Sequence, residues 1–474
     1  MLATIIRKEI KELIGSTTFA IAFGVCAVLI LLSFYVGAAN YRLAMAQFEA
    51  SQAENLRQME GLTDWFALEQ HRIFLPPQPL EALVTGISND IGRTTEIKTR
   101  GELTAEDSRF NEDPIFAVFR FLDLGFVFQI VLSLFAILLG YNAISGEKER
   151  GTLRLIFANA VPRAVFILGK MVGTFLSLSL SLLAAIGIGC VLLPLLGVNL
   201  AAGEWGRLTL IVLCGLLYFG AFLTLSVFVS AMTQRSSSSF LVLLVVWIGA
   251  VLVVPRVSVL LAGRAVDVPS VDELAAKKAT FSRQLWKEFR EELSSYKAPE
   301  FEGAENMEAA LAEFNQFMDS ATLRRDSKMD EFAERLNEGR FNAQQVQERL
   351  AFNIARVSPA ASLTLATSGL AGTSLDLKDR FHRDATSYRG SYNSFMKEKT
   401  GMNVGGRMII WKSSEEGEEP PKPIDPREMP AFRPESVPIG EAIEASMVDI
   451  GLLALFNLVF FTGAFAGFMR YDLR

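Results

Sequence analysis

Cysteine and histidine are nearly missing from this sequence, with three cysteines and two histidines in 474 residues. Cys26, Cys190 and Cys214 all lie inside apolar runs. None is placed to staple an external domain, which excludes a disulfide framework. His71 and His382 are far apart in sequence and show no ligand spacing, so no metal site is read from them. No G-x-x-x-x-G-K-[ST] loop occurs. The nearest fragment, Gly169-Lys170, is followed by Met171 and lies in an apolar run. A phosphate cradle of that type is therefore excluded. H-E-x-x-H and G-x-S-x-G are also absent, and no constellation argues for catalysis. The chain reads as a non-enzyme without a cofactor of its own. Net charge is −6 with no clustered basic face, which argues against nucleic acid as a partner.

What the chain has instead is apolar length. It is 50% hydrophobic, with mean hydropathy +0.30. The apolar residues gather in runs of about 20, enough to cross roughly 30 Å of hydrocarbon at 1.5 Å per residue. Six spans are expected, over residues 16–37, 122–145, 165–197, 208–232, 240–261 and 447–469. Backbone groups in lipid must be satisfied internally, so each run is read as a helix. A cleaved signal peptide is the alternative for the first run, but its apolar stretch is longer than a typical signal core, which favours an anchor. Before it, Leu2, Ile5, Ile6, Ile10 and Leu13 share one helical face. Residues 1–15 thus read as an amphipathic helix on the cytosolic surface, the simpler alternative being the helical start of the first span.

Lys and Arg near the span ends set the direction. Arg7, Lys8 and Lys11 precede the first span, and Lys148, Arg150, Arg154, Arg163 and Lys170 lie around the turn from second to third. Arg235 sits between fourth and fifth, and Arg470 and Arg474 follow the sixth. All fall on one side if both termini of this multi-pass chain are cytoplasmic. Two polar inserts, residues 38–121 and 263–446, then lie outside. The first passes Pro76, Pro77 and Pro79, which break any helix, before a strand-like piece near Thr94–Thr104. In the second, Leu274, Phe281, Leu285, Phe289 and Leu293 form one stripe, and Met307 to Leu336 form another. Val346, Leu350, Ile354 and Val357 continue a third. These predict long amphipathic helices paired as an antiparallel hairpin or stalk. Residues 413–430 read as an acidic, Pro-rich linker. The expected fold class is an all-α membrane protein: six transmembrane helices, an N-terminal surface helix and a mainly helical extracytoplasmic domain with a few short strands.

The most specific local signal is Ser145–Lys170, SGEKERGTLRLIFANAVPRAVFILGK. Leu153, Leu155, Ile156 and Phe157 supply the apolar side of a brief helix, Gly151 permits a tight turn into it, and Thr152 is a candidate cap. This segment resembles the first cytoplasmic loop of ABC transporter permeases of the type-2 export class. Those show G-E-x-x-x-G-T-L, then a hydrophobic turn, then a Pro-Arg element and a Lys in the next span. The matching residues are Gly146, Glu147, Gly151, Thr152, Leu153, Pro162, Arg163 and Lys170. Asn142 and Ala160 depart from the pattern, where an acidic residue and a proline are expected. The six-span order and the inserts after the first and fifth spans resemble a subgroup with large extracytoplasmic domains.

The resemblance implies a permease subunit, an exporter, coupled to a cytosolic ABC ATPase that holds the ATP and magnesium. It implies a second copy of the chain or a related permease, and allows an envelope or lipoprotein partner outside. It assigns an ATPase-coupling role to residues 146–164, carried by Glu147, Glu149, Gly151, Thr152, Leu153, Leu155, Phe157, Pro162 and Arg163. An ordinary charged loop obeying the positive-inside rule is the plainer alternative. A second function class is a membrane subunit that transmits ATPase-driven motion through its external helices to an envelope partner. A third group of residues, Asp123, Arg256 and Asp449, is expected at one depth near the outer interface, where an Arg256–carboxylate contact would order an outer gate. Independent snorkelling is the alternative there. Asn457, mid-span, reads as a helix-packing residue.

Overall fold

The computed structural model describes the chain apart from residues 66–67, 69–70, 89–90, 98–102, 104, 107–122, 159–160, 297–303, 401–422, 436 and 471–474, and apart from the side chains of 105–106 and 304–312. Most of the expected acidic linker, and Asn159 and Arg474, thus fall outside the described residues. Six described helices are long and apolar enough to cross a membrane: Thr17–Arg57, Leu124–Glu149, Arg163–Leu195, Ala202–Met232, Ser236–Ala265 and Ile439–Met469. They are spans one to six of an all-α membrane protein with one small sheet. The helices outrun the apolar runs. Span one continues past Gly37 to Arg57, because Asn40–Arg57 holds neither proline nor glycine to stop it. Span six starts at Ile439, just after Pro438, which puts Asp449 nearly three turns inside the helix instead of at its start.

Packing holds such a bundle together, since lipid tails offer helices no hydrophobic reason to associate. Span four is central, and its Tyr218, Phe219 and Phe222 are buried among Phe128 of span two and Ile30 and Phe34 of span one. Asn457 of span six donates to the Leu217 carbonyl at 2.7 Å, a packing role. Spans two and five each contain a π-helical stretch, Val127–Leu132 and Ile248–Val253. Such turns disturb the regular hydrogen-bond ladder and leave carbonyls open to outside donors. Here both openings are filled. The Gln129 carbonyl accepts the Tyr218 hydroxyl at 2.8 Å and the Ser133 hydroxyl at 2.5 Å, and Trp247 Nε1 donates to Ser133 Oγ at 2.8 Å. In span five the Ala250 carbonyl accepts the Ser358 hydroxyl.

Ser358 also opens a buried helix, Pro359–Ala371, that packs against spans four and six. At 13 residues it is too short to cross a bilayer. Its sequence carries a serine N-cap, a proline at the first turn and a glycine after the end, a start–stop pattern that apolar-run counting passes over.

The two inserts share one core. Strands β1 (His71–Phe74), β2 (Thr94–Ile97) and β3 (Ala105–Glu106) form an antiparallel sheet in which His71 pairs with Ile97 and Thr95 with Ala105. Against it lies the helix Asp376–Thr400 from the second insert, burying Phe381, Tyr388 and Tyr392 with Trp65, Ile73 and Ile97. The stalk is an antiparallel hairpin of Val271–Ser295 and Ala304–Ala355. Phe281 stacks on Phe332 at 4.0 Å, and Lys278 Nζ donates to Asn337 Oδ1 at 2.9 Å. The second stripe and the third as far as Ile354 belong to this one helix of 52 residues, and Val357 lies just past its end.

His71 makes the insert core sensitive to acid. The Tyr388 hydroxyl donates to the Pro430 carbonyl at 2.9 Å, so it must accept from His71 Nε2–H at 2.8 Å. His71 Nδ1 is buried and has no partner among the described residues. A second proton there finds no acceptor among them, and burial pushes the His71 pKa down to about 4. The folded pKa lies below the unfolded value near 6.5, so the neutral ring's contribution is complete above pH ~6.5 and is lost as pH falls toward 4. Thermal unfolding of the full chain in detergent is expected to show ~3 kcal/mol less stability at pH 4 than at pH 7 from this group. The His71→Phe protein is expected to lack that part of the acid limb, and equal acid limbs in the two proteins would contradict the assignment.

Candidate functional site

The loop between spans two and three is built on a buried charge triad. Lys170, two turns into span three, has its Nζ 3.1 Å from Glu9 Oε1 and 3.4 Å from Glu147 Oε1. All three side chains are at most 10% exposed. Glu9 belongs to the helix Leu2–Ile14, which precedes span one. This helix lies along span three, close enough that a Cβ on Gly169 would come within 2.6 Å of Ile5, and one on Gly173 within 2.8 Å of Glu9. Only glycine admits the helix so near. The amphipathic reading of residues 1–15 places its charges away from the apolar face. Glu9 instead points inward, because Lys170 waits there to meet it.

Glu147 carries the triad into the loop. It sits in the short helix Ser145–Glu149 and accepts a hydrogen bond from the Thr152 hydroxyl. That bond replaces the capping role expected of Thr152. Gly151 makes the turn between the two loop helices at φ +69°, the left-handed conformation that glycine enters freely. The loop is also tied to the neighbouring spans. Ile144 and Ser145 donate their backbone N–H groups to Ser230 Oγ at 3.0 and 2.9 Å. Lys148 Nζ donates to the Ala231 and Thr233 carbonyls at the end of span four. Glu149 accepts from the Ser236 hydroxyl at 2.7 Å.

The second loop helix, Thr152–Ala158, splits the residues expected on one apolar face. Leu153, Ile156 and Phe157, at i, i+3 and i+4, turn inward beside Phe166 and Phe468. Leu155 lies on the other side and is 67% exposed. Pro162 caps span three, and Arg163 donates to the Met469 carbonyl at 3.0 Å at the end of span six. The nine loop residues picked from sequence therefore converge at one end of the bundle. Glu9 was not among them, since an acidic residue in an amphipathic helix that also carries Glu12 gives no sign of a partner more than 100 residues away.

At the opposite end the expected gate contact is replaced. Asp449, 2% exposed, is held by Arg356 in a two-pronged pair, Nε–Oδ1 at 2.8 Å and Nη2–Oδ2 at 3.0 Å. Arg356 stands at the foot of the long stalk helix, so the pair joins stalk to span six. The planar guanidinium suits this paired geometry, and Asp449 raises the Arg356 pKa by accepting those hydrogen bonds. Asp123 caps the start of span two, accepting from the Phe126 and Thr85 N–H groups at 2.8 and 3.0 Å. Arg256 is exposed and makes no ion pair with either aspartate. Depth alone suggested a trio, but Arg356 approaches from an insert whose return path sequence does not show.

A family model described as ABC-2 family transporter protein matches residues 3–473. The probable ABC transporter permease protein NosY of Stutzerimonas stutzeri is 35% identical over 125 residues. That match covers 26% of this chain and 45% of the relative, so the chain spans less than half the length of the curated protein it resembles.

Removing the triad's cation tests its role. Lys170→Met leaves two buried carboxylates facing each other, and thermal unfolding in detergent is expected to show a loss of ~3–5 kcal/mol. Adding Glu9→Gln and Glu147→Gln to the same protein is expected to recover most of it. No loss in the single variant would remove the triad from the account of this site.

Proposed function

The chain is a membrane protein of the ABC-2 transporter family, and on that footing we propose that it is the permease subunit of an ATP-driven ABC exporter, worked by a separate cytosolic ATPase. The observation that carries this reading is the loop's construction. A helix of seven residues presents an exposed leucine while its other side packs on Phe166 and Phe468 and its Thr152 hydroxyl ties it to a buried Glu–Lys–Glu frame. A rigid mount is what a push–pull contact needs, since a loose loop would absorb the motion it receives. The triad links the loop to span three and to the helix Leu2–Ile14, so a displacement at Leu155 reaches two further elements at once. The loop end carries the excess of Lys and Arg, which supports its cytoplasmic placement in a bacterial inner membrane with both termini inside. The inserts then lie outside. ATP and magnesium belong to the partner subunit, and a second copy or a related permease completes the path.

A second reading draws on the opposite end. The stalk's foot is fixed to span six by Arg356–Asp449 and to span five by the Ser358 hydroxyl on the Ala250 carbonyl. Motion of these spans thus enters the stalk directly, which supports transmission of force to an envelope or lipoprotein partner.

Two experiments separate the claims. Leu155→Asp combined with Gly151→Trp is expected to abolish co-purification with the ATPase while the permease still reaches the membrane; unchanged co-purification would sink the coupling role. Arg356→Ala is expected to leave co-purification intact. If it removes an envelope activity while substrate still crosses, transmission is the stalk's task; if transport falls with it, the stalk serves transport.

A further inference from the structure

A cavity of about 180 Å³ lies at the insert end of the bundle, between the π-helical stretches of spans two and five and beneath the buried helix Pro359–Ala371. Its walls bring together two opposite charges that do not meet. Asp123 stands on the span two side and Arg256 on the span five side, and among the described residues neither forms an ion pair. Asp123 accepts two backbone N–H groups and keeps lone pairs to spare. Arg256 is exposed. Between them, Thr364 and Thr367 donate their hydroxyl protons to the Ala360 and Leu363 carbonyls of their own helix. Each of these hydroxyls therefore offers the cavity only an acceptor. The inner wall thus sets hydroxyl acceptors and the Gln129 amide beside a carboxylate, and the guanidinium supplies cationic donors.

That polarity fits a ligand with the reverse arrangement: a donor-rich cation on one end and an anion on the other. A protonated amine gives N–H groups to Asp123 and the threonines, and a phosphate takes the planar fork of Arg256. We propose that this cavity binds a phosphoethanolamine-type zwitterion. The site lies where spans two and five leave the hydrocarbon, the level at which lipid headgroups sit. Phe126 and Val253, exposed on the two spans beside it, give acyl chains an apolar flank. The shared chemistry has two sources, an intact phospholipid or the free headgroup. Binding at this site requires no ATPase, so its failure and that of the coupling reading are told apart.

The full chain purified in detergent is exchanged into mixed micelles holding equal phosphatidylethanolamine and phosphatidylglycerol, and retained lipid is counted by mass spectrometry. Phosphatidylethanolamine is expected to be enriched about tenfold, the worth of one charge-assisted hydrogen bond. Arg256→Gln, at an exposed position, is expected to abolish the enrichment with no change in thermal unfolding. Thr367→Val gives a second variant, expected to weaken it. Displacement by water-soluble phosphoethanolamine assigns the site to the free headgroup, and displacement by intact lipid alone assigns it to the bilayer. Equal retention of both lipids by the natural chain, or enrichment that survives Arg256→Gln unchanged, overturns the proposal.

Discussion

Inside a bilayer a polar group has no water to turn to, so every charge and open carbonyl must find its partner within the protein. Most of what is distinctive in this molecule follows from that constraint. Lys170 lies in a span and is tolerable only because Glu9 and Glu147 close on it. Asp449 lies in another and is met by Arg356. The π-helical stretches of spans two and five open carbonyls that Tyr218 of span four and Ser358 fill. Each repair reaches across to a different element. Satisfying the lipid's demand therefore also stitches the bundle to the parts outside it.

The stitches sit at the two ends of the spans, and their placement gives the protein a mechanical character. At one end the triad joins the N-terminal helix, span three and the loop into one unit. At the other, Arg356 and Ser358 join the stalk's foot to spans six and five. Span four connects them. Its Tyr218 holds the irregular turn of span two, and its Ser230 holds the start of the loop. A buried ion pair adds little net stability over a well-packed apolar pair, but breaking one is costly. Such contacts suit a part that must move as a unit without coming apart.

The inserts add a different kind of domain. Among the described residues their apolar side chains meet in one shared core. Ile73 and Ile97 from the first need Phe381, Tyr388 and Tyr392 from the second before their apolar sides are covered. The domain thus closes a loop in space between the ends of spans one, five and six. This closure also brings Pro359–Ala371 back against spans four and six, and it is that helix which roofs the cavity between Asp123 and Arg256.

The six spans, the proline break after β1, the stalk hairpin and the loop residues from Glu147 to Arg163 were all legible along the chain. Each rests on a local signal: an apolar run sets helix length, a repeat of three and four sets a face, and a glycine sets a turn. Helix ends were less legible, because span one continues for as long as no residue stops it, whatever the membrane's thickness. The face of the loop helix was half legible. Spacing groups Leu153 with Ile156 and Phe157, yet only packing against Phe166 and Phe468 shows that Leu155 is turned away. Partner choice was not legible at all. Arg256 in span five and Arg356 at the foot of the stalk are both arginines that could answer Asp449 on paper, and only the tertiary path of the stalk decides that Arg356 reaches it. Glu9 met Lys170 for the same reason. A charge in the chain announces that it needs a partner, but which one it finds depends on distances in space that no local pattern encodes.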